Sequence, residues 1–369
     1  MSNIVYLLGA GASYGCLPTI AEFNNGERKS LFLDRHKQEL RNNYAIGVNR
    51  NLQVKPGYSS RDILSSYEKD LDWLFNEVAS AHMSIDTFAK RMYLIKDKKF
   101  AEERLHRFKT ILTTYFLLLQ ITKAPNKRYD SFFASILEES ADNLPGNISI
   151  VSWNYDLQWE IAYTWYTLKN DVLTSRELLN VHSKGDAKKE QGENKFQILN
   201  VNGTCLWQDT TKDEIVNVLS DFSQNTLNPW NEKIFEKIMM RYWDLKNKSP
   251  DIKNRLSFSW EEDNGKKDPV ISMALNAIAQ AEVLVIIGYS FPTFNRKMDK
   301  MMLSRFNKQG KKIYIQCKDD NNRVKERLLT LLPPVFKAND RRAKEKPAIV
   351  SQFELVDDVT NFIIPPEFD

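Results

Sequence analysis

The sequence predicts a doubly wound α/β fold, a parallel sheet interrupted by a large all-helical insertion. Long helical stretches separate short apolar runs, and this alternation is typical of strands joined by helical crossovers. A parallel crossover needs only about a dozen residues, whereas residues 61–143 are helical in pattern almost throughout. We therefore expect one domain over residues 1–369 with an insertion at about 61–143. The predicted strands are Ile4 to Leu8, Ile148 to Trp153, Phe196 to Val201, Val283 to Ile287 and Lys312 to Cys317.

The first predicted strand runs into a turn of small residues. Gly9, Gly11 and Gly15 follow it, and the residues between them include Ala10, Ala12 and Ser13. Small residues let the backbone turn tightly and approach a phosphate, whose charge then lies at a helix N-terminus. The third glycine comes one position later than in the G-x-G-x-x-G pattern. The turn predicts a nucleotide site, and the alternative is a tight strand-to-helix turn without a ligand.

The predicted insertion has the spacing of amphipathic helices. In "DILSSYEKDLDWLFNEVASA" the apolar residues recur every three or four positions, beginning with Ile63, Tyr67 and Leu71. The segment "RLHRFKTILTTYFLLLQITK" is apolar enough to predict a central helix of this block.

Polar or small residues follow the later strands as well. Asn154 and Asp156 come after the second predicted strand, and Asn202-Gly203-Thr204 come after the third. Gly288 and Ser290 follow the fourth, and Gln316 lies at the end of the fifth. Ligands of open α/β sheets bind outside the carboxyl ends of the strands. We therefore expect these residues and the glycine turn to line one crevice. The alternative for Asn154 and Asp156 is that they cap the following helix.

Composition excludes several classes of protein. The net charge of +4 over 369 residues does not favour direct binding of nucleic acid. The three cysteines form no C-x-x-C pair, so they predict neither a zinc ribbon nor a disulfide framework. No apolar run approaches the roughly 18 residues of a membrane span, and no signal peptide precedes the first strand. We expect a cytoplasmic protein without a membrane partner.

Taken in order, these segments resemble the sirtuin-like family of bacterial NAD-consuming defence proteins. The matching segments are GAGAS at Gly9 to Ser13, WNYD at Trp153 to Asp156, the G-T pair at Gly203 and Thr204, and IGYSF at Ile287 to Phe291. The resemblance implies a Rossmann-like sheet in which Gly9, Ala10, Gly11, Ala12, Ser13, Gly203, Thr204, Gly288 and Ser290 hold NAD. It also implies that Asn154 faces the nicotinamide ribose, Asp156 the nicotinamide end and Gln316 the adenosine end. The expected catalytic residues are Asn154, Asp156 and Asn202.

Two departures from the family bear on the chemistry. The four-cysteine zinc module of sirtuin deacylases is missing, which favours NAD+ hydrolysis, without a metal, over deacylation. Asn202 stands where the family usually has its acid/base histidine, and an amide takes up no proton near pH 7. Three explanations of Asn202 remain open. The site binds NAD but is catalytically silent, or it hydrolyses NAD without a histidine base, or another histidine acts as the base. Of the four histidines in the chain, His182 is nearest to Asn202 in sequence and is expected in a loop. The other three, His36, His82 and His106, are expected at the surface or as caps.

The resemblance implies an NAD+ glycohydrolase of an anti-phage defence system, acting as a homo-oligomer and in some members with a HerA-type ATPase. The helical block is the expected contact surface. A catalytically silent NAD- or nucleotide-binding subunit is the first alternative. An NAD-dependent dehydrogenase is the second, and it is disfavoured because only Asp34 is a candidate for the acidic residue after a second strand.

Overall fold

The computed structural model describes residues 2–19, 22–23, 32–42, 59–167, 171–186, 195–219, 232–261, 268–307, 311–318, 320–345 and 352–368. The chain divides into two compact units. Unit 1 consists of Met1–Tyr14, Pro125–Thr204 and Ser257–Asp369, and unit 2 consists of Gly15–Ala124 and Cys205–Leu256.

The strands of the described residues form two sheets. They are β1 (Ile4–Leu8), β2 (Ile148–Ser152), β3 (Val181–Ser183), β4 (Gln197–Asn200), β5 (Gly203–Asp209), β6 (Glu214–Ile215), β7 (Ile252–Leu256), β8 (Val283–Ile287), β9 (Lys312–Gln316) and β10 (Phe353–Leu355). The larger sheet has the order β10-β9-β8-β1-β2-β4-β3, and its neighbouring strands are parallel. The chain builds one half outward from β1 through β2 and the other through β8. The doubly wound α/β fold is therefore observed.

The described residues also form α-helices. They are α1 (Ser60–Asp72), α2 (Ile85–Leu94), α3 (Lys98–Thr122), α4 (Lys127–Ile136), α5 (Gln158–Tyr163), α6 (Val172–Leu178), α7 (Glu232–Lys246), α8 (Pro269–Gln280), α9 (Arg296–Leu303), α10 (Asn321–Leu329) and α11 (Pro334–Glu345). Residues 32–42 are helical as well. No helix within the described ranges combines the length and the apolarity needed to cross a bilayer.

Both faces of the larger sheet are buried, which explains why β1 and β8 have no charged residue and no serine, threonine or amide at any position. On one face, Tyr6 of β1 belongs to a cluster that includes Phe132 of α4 and Trp159 of α5. On the other face, Leu7 belongs to a cluster that includes Ala274 of α8. Since side chains alternate along a strand, β1 contributes to both clusters, and all five of its residues are buried.

Unit 2 is mostly helical. Its longest helix, α3, is buried along most of its C-terminal half, as predicted for a central helix. A buried carboxylate, that of Asp70, accepts hydrogen bonds from Arg107, Tyr242 and Lys246. This network satisfies a charge that would be costly to bury alone.

The structure departs from the sequence-based prediction in several places. The predicted insertion at 61–143 overlaps unit 2, but α4 belongs to unit 1, and unit 2 also includes Cys205–Leu256. The strands β3, β10 and those of the small sheet were not predicted. Most of residues 20–60 lies outside the described residues.

Candidate functional site

The glycine turn, residues 9–14, lies against the turn that follows β8. Gly11 N–H donates to the carbonyl of Gly288 at 3.0 Å, and Gly9 N–H donates to that of Ile287 at 3.0 Å. A Cβ atom on Gly9 would lie 2.7 Å from the Gly288 oxygen, and one on Gly288 would lie 2.4 Å from the Ala12 nitrogen. Only glycine permits this approach. It occurs between β1 and β8, where the two halves of the sheet diverge and doubly wound folds bind their ligands.

Ser13 forms the centre of a hydrogen-bonded cluster at the end of this turn. Its hydroxyl donates to Asp156 Oδ2 at 2.7 Å, and it lies 2.8 Å from the Tyr129 hydroxyl. Asn154 Nδ2 donates to Ser13 Oγ at 3.4 Å and to the carbonyl of Gly9 at 3.0 Å. Because the Ser13 proton is committed to Asp156, Tyr129 donates its own proton to Ser13. We call Ser13, Tyr129, Asn154 and Asp156 the Ser13 cluster.

Asp156 carries the titratable group of the Ser13 cluster. Burial raises the pKa of its carboxyl to about 6, and the hydrogen bond from Ser13 opposes the shift. The second carboxyl oxygen, Oδ1, accepts from the Gln158 backbone at 3.2 Å, near the start of α5. Asp156 therefore accepts one hydrogen bond from the first residue of α5 and one from the glycine turn, while the N-cap residue of α5 is Leu157.

Asn154 differs from Asp156 in that its side chain is partly exposed. Its Nδ2 is held by Gly9 and Ser13, whereas no residue in the described ranges donates to its Oδ1. Ala10 and Ser290 are exposed, and Gly11 and Gly288 partly so. The accessible part of the site therefore offers a fixed amide oxygen and the backbone of two glycine turns.

Asn202 is buried and both ends of its amide are engaged. Nδ2 donates to the carbonyl of Trp153 at 2.8 Å, and Oδ1 accepts from the Ser259 N–H at 2.9 Å. Gly203 follows with a φ of 72°, and the buried Thr204 Oγ1 has no hydrogen-bond partner among the described residues. The amide of Asn202 thus joins the WNYD segment to the chain at Ser259, while its catalytic role stays a prediction.

Gln316 is also buried, and the C-terminal segment engages its side chain. Nε2 donates to the carbonyl of Asn361 at 2.7 Å, and Oε1 accepts from the Ile363 N–H at 3.3 Å. The Gln316 carbonyl accepts from Gly288 N–H at 3.0 Å. The side-chain amide and the backbone carbonyl of Gln316 are therefore both engaged within the fold, and its role at the adenosine end stays a prediction.

Sequence reasoning missed the contribution of α4. From its first turn, Tyr129 contacts Ser13, Arg128 Nη1 donates to the carbonyl of Gly11 at 3.3 Å, and Asn126 Nδ2 donates to that of Tyr14 at 2.7 Å. The segment "NKRYDSFF" has an ordinary amphipathic helical pattern. No sequence signal distinguishes these residues, because their contacts depend on the path of the chain.

The histidines fall in varied settings. His182 lies on β3, and its Nε2 is 2.9 Å from Asn180 Oδ1, so its expected loop position is wrong. His36 is buried, which lowers the pKa of its imidazole to about 3, so its expected surface position is wrong as well. His106 donates from Nε2 to the carbonyl of Leu245 near the end of α7 at 2.8 Å, which confirms the expected capping.

No protein-family model and no curated protein matches the chain. Among solved structures, a Sir2 complex with a p53 peptide and NAD+ is 12% identical, with 94% of each chain covered and a TM-score of 0.33. A structure of Sir2Tm bound to a propionylated peptide is 11% identical, with 94% of each chain covered and a TM-score of 0.28. A third structure, described as the structural basis of sirtuin substrate affinity, is 13% identical, with 86% of this chain and 85% of that chain covered and a TM-score of 0.28. The fold assignment rests on the strand order and the parallel pairing of the sheet.

Proposed function

We propose that the protein hydrolyses NAD+ at the bond between nicotinamide and ribose. The observation that carries the proposal is the Ser13 cluster, in which an amide and a carboxylate from the end of β2 are fixed on the glycine turn at the divergence of the sheet. The ordered motifs that resemble the sirtuin-like family support the same reaction. Its products are nicotinamide, ADP-ribose and one proton.

In the proposed reaction the nicotinamide–ribose bond breaks with its electron pair on nicotinamide, which leaves neutral. Positive charge then develops on the ribose, and a water molecule adds at that carbon and gives up a proton. Electrostatic stabilisation of this charge and placement of the water are the main requirements. Asn154 Oδ1 supplies a fixed partial negative charge and an acceptor. Asp156, with a pKa of about 6, is mostly ionised at pH 7.5 and stabilises positive charge nearby.

The test is to incubate the purified protein with NAD+ and to measure nicotinamide by chromatography. Asn154→Ala should abolish release at an unchanged melting temperature, because the side chain is partly exposed and lies at a strand end. Asn147→Ala is the matched control, since Asn147 precedes β2 at the opposite end and donates only to the Ser2 carbonyl among the described residues. Unchanged release by a folded Asn154→Ala variant would remove Asn154 from the mechanism.

A catalytically silent nucleotide-binding subunit is the second candidate. It is favoured by Asn202, whose amide is used by Trp153 and Ser259 and provides no titratable group. The same assay separates the candidates: a hydrolase releases nicotinamide, whereas a silent subunit binds NAD+ and leaves it intact. Reduction of NAD+ in the presence of a second substrate would identify a dehydrogenase instead.

The proposed biological setting is bacterial anti-phage defence, in the cytoplasm, with activity restrained by assembly. A free NAD+ hydrolase would consume the cell's own cofactor, so control by self-assembly or by a HerA-type ATPase follows from the proposed activity. Three apolar side chains in the helical block support a contact surface there: Met83, Leu94 and Phe100 are 85%, 66% and 46% exposed.

A further inference from the structure

Two cations contact the glycine turn, and neither is neutralised by a carboxylate among the described residues. Arg128 reaches the carbonyl of Gly11 from α4. Lys318, two residues beyond β9, places its Nζ 3.8 Å from the centre of the Tyr14 ring. Both side chains therefore contact the same turn of six residues, Arg128 at a backbone carbonyl and Lys318 at an aromatic ring.

The environment of Arg128 is unfavourable for an isolated charge. Its guanidinium lies 4.4 Å from the centre of the Phe362 ring, and its Nε is buried without a partner among the described residues. Burial lowers the pKa of Arg128, so the surroundings disfavour its charged form. One backbone carbonyl uses only one of five N–H donors. A half-buried guanidinium that has no carboxylate partner among the described residues gains much from an added anion.

The position of the two cations defines the anion. A phosphate at a glycine turn is bound by backbone N–H groups, and a dinucleotide brings two linked phosphates. Arg128 contacts Gly11 and Lys318 contacts Tyr14, three residues further along the turn. A diphosphate carries negative charge on each of its two phosphates, so two cations on one turn complement its charge better than a single cation would.

We propose that Arg128 and Lys318 clamp the diphosphate of the nucleotide and thereby favour nucleotides with two linked phosphates, such as ADP and ADP-ribose, over nucleosides. This inference rests on the proposed function for the choice of ligand. It adds that affinity depends on the two phosphates more than on the base. Because the substrate NAD+ and the product ADP-ribose share this diphosphate, the clamp also retains the product.

The test is a titration calorimetry series with ADP-ribose, ADP and adenosine on the full chain. Lys318→Ala and Arg128→Met should each weaken ADP-ribose and ADP by roughly tenfold, the size of a lost charge-assisted hydrogen bond. Binding of adenosine should be unchanged. Arg128→Lys should recover part of the loss, and the affinity of the variants for ADP-ribose should depend less on salt than that of the parent. Lys127→Ala is the matched control, since Lys127 is an exposed cation beside Arg128, and it should bind as the parent does.

Several outcomes would overturn the clamp. Equal weakening of adenosine and ADP-ribose would show that the variants distort the turn, and unchanged ADP-ribose binding would show that the cations take no part. An equal loss of ADP-ribose affinity in Lys127→Ala would show that the effect comes from the total positive charge nearby and not from contacts of Arg128 and Lys318. A parent protein that binds no ADP-ribose would overturn the clamp as well. If selective ADP-ribose binding occurs without nicotinamide release, the clamp stands and the proposed hydrolysis fails.

Discussion

Gly288→Ala should destabilise the protein more than Gly9→Ala or Gly15→Ala. Gly288 has a φ of +60°, and its added Cβ would lie 2.4 Å from both the Ala12 nitrogen and the Gly11 carbonyl carbon. The left-handed backbone costs alanine about 1–2 kcal/mol, and overpacking costs a further 1–3 kcal/mol, roughly. The contacted atoms are backbone and cannot rotate away. We expect the free energy of unfolding to fall by about 3 kcal/mol or more.

Two other glycines separate these contributions. Gly15 has a φ of +92° and nothing within 4 Å of an added Cβ, so Gly15→Ala should cost only the conformational strain of about 1–2 kcal/mol. Gly9 has a φ of −126°, which alanine adopts freely, but its Cβ would lie 2.7 Å from the Gly288 oxygen. Gly9→Ala should therefore cost only the overpacking, about 1–3 kcal/mol.

Urea unfolding followed by tryptophan fluorescence measures these differences, because buried tryptophans lie in both units, Trp153 in unit 1 and Trp73 in unit 2 with Gly15. Calorimetry with ADP-ribose gives the effect on binding, which Gly288→Ala and Gly9→Ala should abolish and Gly15→Ala should leave nearly unchanged. If Gly15→Ala is as costly as Gly288→Ala, or if Gly9→Ala is neutral, the close approach of the two turns is refuted.

Three more predictions concern acid–base behaviour and assembly. Burial raises the pKa of Asp156 from 3.8 to about 6, so its contribution to stability is present below pH 4 and lost as the pH rises through 6. The melting temperature of Asp156→Asn should therefore rise relative to that of the parent between about pH 4.5 and 7.5. A difference in melting temperature that stays constant over this range would contradict the prediction. Asn202→His should lower the melting temperature without raising nicotinamide release, whereas a rise would identify a silenced hydrolase. Light scattering at micromolar concentration should give a mass above that of one chain, and Met83→Ser with Leu94→Ser should reduce it; a strictly monomeric parent leaves control to a partner.

The sheet was predictable where its strands are long and buried. The run "VLVII" of β8 is apolar throughout and all five residues are buried, so pattern and structure coincide. β3 and β10 have three residues each, too few to show a periodicity. They form because β3 pairs with the edge of β4 and β10 pairs with the edge of β9. These edges exist only once the sheet has assembled, so the local sequence does not predict the two strands.

The Ser13 cluster was partly predictable for a similar reason. Carboxyl ends of neighbouring parallel strands meet at one edge, so Asn154 could be expected near the glycine turn, and the amide lies 3.4 Å from Ser13. Tyr129 and Arg128 could not be expected there, because helical periodicity gives the buried face of α4 and not what that face covers. Gln316 shows the converse: a polar residue at a strand end whose amide binds the C-terminal segment.

The hydrogen bonds of Asn202 bear on whether a histidine could act at this position. Its amide presents a donor to the Trp153 carbonyl and an acceptor to the Ser259 N–H at the same time, and neither contact changes with pH. A neutral imidazole also has one donor and one acceptor, but a protonated imidazole has two donors and would face the Ser259 N–H without an acceptor. A histidine that gained and lost a proton here would break one of these contacts in each cycle. The proposed reaction does not require such a proton, because nicotinamide leaves as a neutral molecule and the only proton released comes from water. Asp156, the titratable group of the Ser13 cluster, is then the group whose ionisation should set the pH dependence of turnover, with activity rising through its pKa of about 6.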